Sequence, residues 1–204
     1  MLCPSSTPET LTWDSSIFCL FSQHKPDDGV LSEDHDDMYK NDDEYFTDIS
    51  LAYRQEIKEL YDVGCRNIQF DDPLLTYFCA ESMISGMEKR EIDHKALLDL
   101  YIEVYNDCIK EHPADMTIGL HLCRSNFKDG VHFSEGGYDW IAIKLFHNIN
   151  VDCYYLEYNT ERAGTFEPLK HFPKNKSVVL GIISTKHSFI AQLEDMAQSK
   201  ARIQ

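Results

Sequence analysis

One short segment of this sequence carries the residue types of a metal site. His121 and Cys123 stand two residues apart, at the end of the apolar run Met116–His121. In a β-strand, side chains at positions i and i+2 lie on the same face, so both would point into one cavity. Imidazole and thiolate are ligands that suit Zn²⁺. An isolated pair of this kind is more often a packed histidine beside a buried cysteine, so the residues around it decide between the two.

Glu157 favours the metal interpretation. It ends the next apolar run, Val151–Glu157, and neighbouring parallel strands lie about 4.8 Å apart, so its carboxylate would reach the same ion. A solvated glutamate in a loop is the alternative, and the pattern alone does not separate the two. We predict that His121, Cys123 and Glu157 are metal ligands.

Two acids, Asp71 and Asp72, close the earlier apolar run Asn67–Asp71. A carboxylate pair in this position can hold a substrate ammonium group, and each acid can shift the pKa of the other. The alternative is that one acid caps the following helix, with Pro73 as its first residue. That alternative suits Asp72 and leaves Asp71 facing the cavity. We predict both as substrate-binding residues.

Lys186 and His187 follow the last apolar run, Ser177–Ile183. Either side chain would be able to donate a proton or contact an anion at the mouth of the cavity. Ordinary surface polarity is the alternative for each of them. We predict these two residues as the catalytic pair.

Strands and helices must position these side chains. Apolar residues at helical spacing, with start and stop signals, predict helices from Asp42 to a stop at Gly64, from Asp93 to His112, from Ser134 through Phe146, and from Phe189 to Ile203. The four apolar runs between them predict strands. Strands that alternate with helices are typical of a parallel α/β sheet, where functional groups gather at the carboxyl ends of the strands. Residues 1–41 are irregular and acidic, so we predict one domain over residues 42–204.

Composition and charge narrow the functional classes. The chain has 204 residues, 43% of them hydrophobic, which suits one domain with a core. Its formal charge of −16 would repel a phosphate backbone, so neither nucleic acid nor an anionic membrane is an expected partner. The seven cysteines have no disulfide-type spacing, and neither a signal peptide nor an apolar spanning run is evident. We therefore expect a cytoplasmic protein with free thiols.

Four stretches together resemble the catalytic domain of cobalamin-independent methionine synthase, and especially its shorter single-domain relatives. They are Ile68–Pro73, Gly119–Phe127, Tyr155–Tyr158 and Val179–Lys186. The similarity runs in order from about Tyr39 to the C-terminus, and its motifs are specific in combination. The resemblance implies a (βα)₈ barrel, a bound Zn²⁺ ion, and transfer of a methyl group from 5-methyltetrahydrofolate to homocysteine, a step of methionine biosynthesis.

The resemblance also implies roles for individual residues. His121, Cys123 and Glu157 match three zinc ligands, and Asp71 matches the acid that holds the amino group of homocysteine. The family has a second cysteine ligand near its C-terminus, and no cysteine of this sequence matches it, so the fourth protein ligand is missing from the set. The proton-donating histidine of the family falls at Lys186 here, with His187 one residue later.

A complete barrel takes about 250 residues, and the four predicted strands account for roughly its second half. We therefore expect a partial barrel, truncated at both ends relative to the family, that associates with itself or with a complementing chain. The expected function is zinc-dependent methyl transfer to homocysteine or a similar thiol from a methylated folate. The alternatives are a catalytically inactive remnant or partner module of that family, and a metal-free barrel of the uroporphyrinogen decarboxylase type.

Overall fold

A parallel sheet of five strands forms the centre of the computed structural model, which describes residues 10–13, 39, 41–124, 134–159 and 161–183. The strands are β1 (Thr10–Trp13), β2 (Asn67–Asp71), β3 (Thr117–Leu122), β4 (Cys153–Glu157) and β5 (Ser177–Gly181). The α-helices of the described part are α1 (Asp42–Asp62), α2 (Glu81–Lys89), α3 (His94–Cys108) and α4 (Ala142–Asn148). Short 3₁₀ segments cover Leu74–Cys79, Tyr138–Trp140, Glu161–Ala163 and Glu167–His171.

The order of the strands identifies the type of sheet. The strands lie in the order β1-β2-β3-β4-β5, and each neighbouring pair is parallel. A doubly wound sheet reverses its order at a switch point, and these strands do not. Sequential order is that of a (βα)₈ barrel, of which these strands form an arc. The predicted α/β fold, with at least four parallel strands alternating with helices, is confirmed.

The predicted strands occur where the apolar runs are. β2 has the predicted bounds, whereas β3 both starts and ends one residue later, β4 starts two residues later and β5 ends two residues earlier. β1 was not predicted, and it falls within the segment expected to be irregular. Its sequence, Thr-Leu-Thr-Trp, consists of residue types that favour strands. The division of the chain at residues 41 and 42 stays a prediction.

Local signals at its two ends explain the bounds of α1. The Asn41 side chain accepts a hydrogen bond of 2.9 Å from the backbone N–H of Glu44, as an N-cap does. Three acids in the first turn favour the positive end of the helix dipole. Gly64, just past the helix, has φ +103°, a left-handed conformation that glycine adopts without strain. The predicted stop at Gly64 is therefore confirmed.

Two predicted helices are wrong at one end. α3 begins at His94, one residue after the predicted start, with Asp93 as its N-cap, and it ends at Cys108 rather than His112; Glu111, with φ +66°, lies outside the helix just before Pro113. Ser134 does not cap a helix: α4 begins at Ala142, and the Ser134 hydroxyl instead donates to the Thr76 carbonyl oxygen at 2.5 Å. The 3₁₀ segment Leu74–Cys79 and α2 were not predicted. The predicted helix Phe189–Ile203 lies outside the described residues.

The two faces of the sheet differ in burial. Along β2, β3 and β4 one face carries fully buried apolar side chains, which pack with the helices into the core. These are Ile68, Phe70, Ile118, Leu120, Leu122, Tyr154 and Leu156. The alternate positions are mostly half-buried, and they include Asp71, His121, Tyr155 and Glu157. The period of two therefore places the candidate functional residues on the face that the helices do not cover.

Among the residues that the structure describes, no helix has both the length and the apolar character needed to cross a lipid bilayer.

Candidate metal centre at the ends of three strands

The carboxyl ends of β2, β3 and β4 bring the predicted residues side by side. In the strand register, Asp71 faces His121 and Leu122 faces Leu156. Cys123 is the next residue after β3, and Glu157 is the last residue of β4. The backbone N–H of Asp72 donates to the His121 carbonyl oxygen at 2.9 Å, so the pairing of the first two strands continues past the end of β2.

Asp71, His121 and Cys123 form a group able to hold a metal ion. Each offers one ligand atom, and these atoms all lie within 4.8 Å of one another. The Asp71 carboxylate is 2.9 Å from Nδ1 of His121, and both side chains are about one third exposed, at 27% and 31% respectively. Thiolate, imidazole and carboxylate are the three ligand types that proteins use for zinc. The structure thus brings His121 and Cys123 together as the sequence predicts, and it adds Asp71 to them.

Glu157 lies beside this group, one strand further on. Its Oε2 accepts a hydrogen bond from the backbone N–H of Arg124 at 3.3 Å, so the carboxylate lies against the peptide that follows Cys123. Within the described residues, Glu157 does not belong to a group whose ligand atoms are all within 4.8 Å. Its role as a ligand stays a prediction.

Asp72 has a different environment from Asp71. It is 1% exposed, and its Oδ1 accepts hydrogen bonds from the backbone N–H groups of Leu74 (2.7 Å) and Leu75 (3.3 Å). Its Oδ2 accepts from the Tyr105 hydroxyl at 2.5 Å. Burial raises the pKa of Asp72 to about 6, although these three hydrogen bonds oppose the shift. This geometry matches the capping alternative, and a direct contact of Asp72 with substrate stays a prediction.

The predicted catalytic pair, Lys186 and His187, lies outside the described residues. Their proposed roles therefore rest on the sequence.

Two features of the site are not evident from the sequence. Asp71 contacts His121, because the register of β2 against β3 places the two residues side by side, and this register cannot be read from the sequence alone. Substrate binding by Asp71 stays a prediction. Arg124 is 2% exposed, which is rare for arginine. The only signal for it was its position, directly after Cys123.

Comparison with known proteins identifies the family. The sequence profile described as "Cobalamin-independent synthase, Catalytic domain" matches residues 31–203. The chain belongs to this family. Two relatives from Bacillus subtilis (strain 168), named YxjH and YxjG, are 34% and 36% identical to it over 87% and 82% of the chain, which correspond to 45% and 44% of their own lengths.

Other members of the family carry functional names. A 5-methyltetrahydropteroyltriglutamate–homocysteine methyltransferase of Bacillus velezensis is 25% identical over 74% of this chain and 17% of its own length. A solved structure from Listeria monocytogenes, provisionally assigned as a vitamin-B12-independent methionine synthase, aligns with a TM-score of 0.55 at 27% identity. That alignment covers 78% of this chain and 46% of the Listeria chain. This member of the cobalamin-independent synthase family thus spans less than half the length of these relatives.

Proposed function

We propose that this chain binds zinc through His121 and Cys123 and takes part in methyl transfer to a thiol. The observation that carries the proposal is the group of Asp71, His121 and Cys123 at the ends of adjacent strands, in a chain of this family. The names of the relatives support homocysteine, or a similar thiol, as acceptor and a methylated folate as donor.

The side chains present fit a zinc ion. A cysteine thiolate and a histidine nitrogen are the two donors that most often bind zinc in proteins, and a carboxylate completes many catalytic sites. Two carboxylates are available for the third position. Asp71 has the shorter distance to the other donors, and Glu157 is the ligand that the family resemblance implies. If Glu157 is the third ligand, Asp71 contacts Nδ1 of His121 and orients the imidazole ring toward the ion.

The reaction requires a nucleophilic sulfur and a source of protons. When bound, zinc lowers the pKa of a coordinated thiol, so that the thiol is ionised at neutral pH. A bond then forms between sulfur and the methyl carbon while the bond from that carbon to N5 of the folate breaks, and N5 takes up one proton. We assign this proton to Lys186 or His187 and the ammonium group of the thiol substrate to Asp71.

The first test is the zinc content of the purified full chain, measured by elemental analysis without zinc in the buffers. We expect about one zinc per chain, lost in Cys123→Ser. Cys65→Ser is the matched control, because the buried Cys65 thiol donates to the Asn67 carbonyl oxygen at the opposite end of β2, a bond that a hydroxyl can also make. The control should keep its zinc.

Activity is tested next, with 5-methyltetrahydrofolate and homocysteine and detection of methionine. Turnover that depends on Cys123 and on zinc would support the methyltransferase. A folded chain without zinc would overturn the proposal and favour the inactive remnant. If the chain binds zinc but methylates none of the thiols offered, the proposed metal site is retained and the proposed methyl transfer is wrong.

We also propose a cytoplasmic location and association with a second chain. Among the residues that the structure describes, Cys79 and Cys108 are buried free thiols, which suits a reducing compartment. Among the described strands, β1 and β5 are the edges of the sheet, and parallel edges are rarely left uncovered. Light scattering of the purified chain distinguishes a monomer from a dimer.

A further inference from the structure

Arg124 directly follows the cysteine of the candidate metal centre, and its side chain is among the largest that the fold buries completely. Removing a guanidinium group from water costs several kcal/mol unless its N–H groups and its charge are satisfied. The contacts of Arg124 show which segment of the chain the buried guanidinium group holds in place.

The guanidinium group fixes the backbone of a loop. Nη1 donates to the Ser134 carbonyl oxygen at 3.2 Å, and Nη2 donates to the Gly136 carbonyl oxygen at 2.6 Å. The central carbon of the guanidinium lies 5.0 Å from the centre of the Tyr138 ring. All three contacts fall within residues 134–138, and the rigid fork of arginine suits two carbonyl groups in a way that a lysine ammonium does not.

The same residues hold Glu157 at two points. The backbone N–H of Arg124 donates to the Glu157 carboxylate at 3.3 Å, and the Tyr138 hydroxyl donates to the Glu157 carbonyl oxygen at 3.3 Å. One contact fixes the side chain of Glu157 and the other fixes its backbone. The position of Glu157 relative to Cys123 therefore depends on Arg124 and on the ring that Arg124 contacts.

The loop is also fastened to the segment after β2. The Ser134 hydroxyl donates to the Thr76 carbonyl oxygen, and the Thr76 hydroxyl lies 3.4 Å from the Cys123 carbonyl oxygen. Gly136 has φ +114°, and a Cβ at this position would lie only 2.1 Å from the Cys79 carbonyl oxygen. The chain can approach so closely only because residue 136 is glycine. Residues 134–138 thus connect the ends of β2, β3 and β4.

We propose that Arg124 is a positioning residue of the metal centre: through residues 134–138 it holds Cys123 and Glu157 in the arrangement that binds the ion. This inference rests on the proposed function and deepens it. Arg124 itself points away from the candidate ligands, since it alternates with Cys123 and is buried with the core side chains.

Co²⁺ titration of the full chain, with Cys123→Ser to define background binding, tests the inference. Arg124→Met removes the charge, and Arg124→Lys keeps the charge but loses the fork. We expect both variants to bind Co²⁺ about 10- to 100-fold more weakly than the parent, as is usual when a group that orients metal ligands is lost. Hydrogen exchange of the backbone amides in residues 134–138 should become faster in both variants.

Arg66→Met is the matched control. The Arg66 guanidinium also donates to two carbonyl oxygens, of Tyr61 and Cys65, and lies 3.8 Å from the centre of the Tyr61 ring. It does so before β2, at the opposite end of the strands from the candidate site. Arg66→Met is expected to lower stability but to leave Co²⁺ affinity at the parent value.

The possible outcomes separate this inference from the proposed function. A parent that fails to bind Co²⁺ overturns the metal centre and the positioning role with it. If the parent binds Co²⁺ and both Arg124→Met and Arg124→Lys bind it equally well, only the positioning role is wrong. If Arg124→Lys alone binds Co²⁺ as the parent does, the charge of Arg124 matters and its two-carbonyl geometry does not. If both variants fail to fold, Tyr138→Phe keeps the ring but removes the hydroxyl contacts to the Glu157 carbonyl oxygen and to Arg124, and parent-like affinity in that variant contradicts the inference.

Discussion

The Asp71 carboxylate lies 2.9 Å from Nδ1 of His121, across the boundary between β2 and β3. The two residues face each other in the register of these strands, so backbone pairing fixes the contact. An Nδ1–H group that donates to the carboxylate leaves the lone pair of Nε2 free to bind a metal ion. Asp71 therefore contacts the histidine of the candidate site, and binding of substrate by Asp71 stays a prediction.

Replacement of Asp71 separates these two roles. If Asp71 orients the metal ligands or is itself a ligand, Asp71→Ala should weaken Zn²⁺ binding about 10- to 100-fold. Asp71→Asn should lose less Zn²⁺ affinity, because asparagine keeps one oxygen acceptor. The measurement is competition for Zn²⁺ against a chromophoric chelator. If Asp71 only holds the ammonium group of the substrate, zinc affinity will be unchanged and only KM for the thiol will rise.

Asp99→Asn is the control for this experiment. Asp99 forms an ion pair with Lys144 at 2.5 Å, and both side chains are substantially exposed. Exposed pairs of this kind contribute little to stability, and this pair lies between α3 and α4, on helices rather than at the strand ends. Loss of zinc affinity in Asp99→Asn would show that the assay reports general destabilisation.

The stability of the chain should depend on pH through Asp72. Burial raises its pKa from the ordinary 3.8 to about 6, so between these values the folded state binds more protons than the unfolded state. The contribution of Asp72 to the free energy of unfolding is then fully present below pH 3.8 and is lost as the pH rises through about 6. The loss amounts to about 3 kcal/mol.

Asp72→Asn measures this contribution, because asparagine cannot ionise. Urea denaturation between pH 4 and pH 8 should show the variant gaining stability relative to the parent as the pH rises. Asp93→Asn is the contrasting control: backbone hydrogen bonds from Ala96 and Lys95 lower the pKa of Asp93 below its ordinary 3.8, so Asp93 is ionised in both the folded and the unfolded state above pH 4, and the difference between this variant and the parent should stay nearly constant between pH 4 and pH 8. A difference for Asp72→Asn that is constant across this range would contradict the prediction.

The Tyr105 hydroxyl stabilises the ionised form of Asp72. It donates to Oδ2 at 2.5 Å, and Tyr105 is itself completely buried. Tyr105→Phe removes this donor and leaves a buried charge with fewer partners, so the pKa of Asp72 should rise further. We expect a destabilisation of about 1–3 kcal/mol at pH 8, and a smaller one at pH 5, where Asp72 is protonated.

A double-mutant cycle checks the origin of that effect. Because the asparagine variant carries no charge, Tyr105→Phe should destabilise Asp72→Asn less than it destabilises the parent at pH 8. Equal losses in the two backgrounds would mean that the hydroxyl acts through packing and not through the carboxylate.

Strands β2 to β5 and the central pair of site residues were predictable from the sequence for a simple reason. Apolar runs and the alternation of apolar and polar residues predict the strands. A spacing of two residues places His121 and Cys123 on the same face of a strand. The same rule puts Glu157 on the matching face of β4. Such local patterns depend only on the backbone of one strand, so a single sequence contains them.

The rest depends on contacts between distant segments. Ser134 has the residue type of an N-cap, yet its hydroxyl bonds to Thr76, fifty-eight residues earlier in the chain. Arginine is typically a surface residue, and contacts with a distant part of the chain, the carbonyl groups of residues 134 and 136 among them, make burial of Arg124 tolerable. Neither contact leaves a local pattern, so the sequence predicts a helix from Ser134 and contains no sign of the role of Arg124.

Gly119 makes room for Tyr155 beside the candidate site. A Cβ on Gly119 would lie 2.7 Å from a ring carbon of Tyr155, which belongs to the neighbouring strand and is in register with His121. A ring cannot bend away as a flexible chain end can, so Gly119→Ala should destabilise the fold by about 1–3 kcal/mol through overpacking. Thermal or urea denaturation measures this loss.

The sign of the effect should reverse when the ring is absent. In a Tyr155→Val background the added methyl group of Gly119→Ala no longer meets the ring and keeps its ordinary contact of 3.6 Å with the Ile68 carbonyl oxygen, and alanine in a strand interior is then favoured over glycine by roughly 0.5–1 kcal/mol. Gly181→Ala is the control, because a Cβ there approaches only to 3.4 Å of the Leu156 carbonyl oxygen, an ordinary contact distance. A Gly119→Ala variant as stable as the parent would show that Tyr155 can move aside, and the position of its ring beside His121 would then not be fixed by packing.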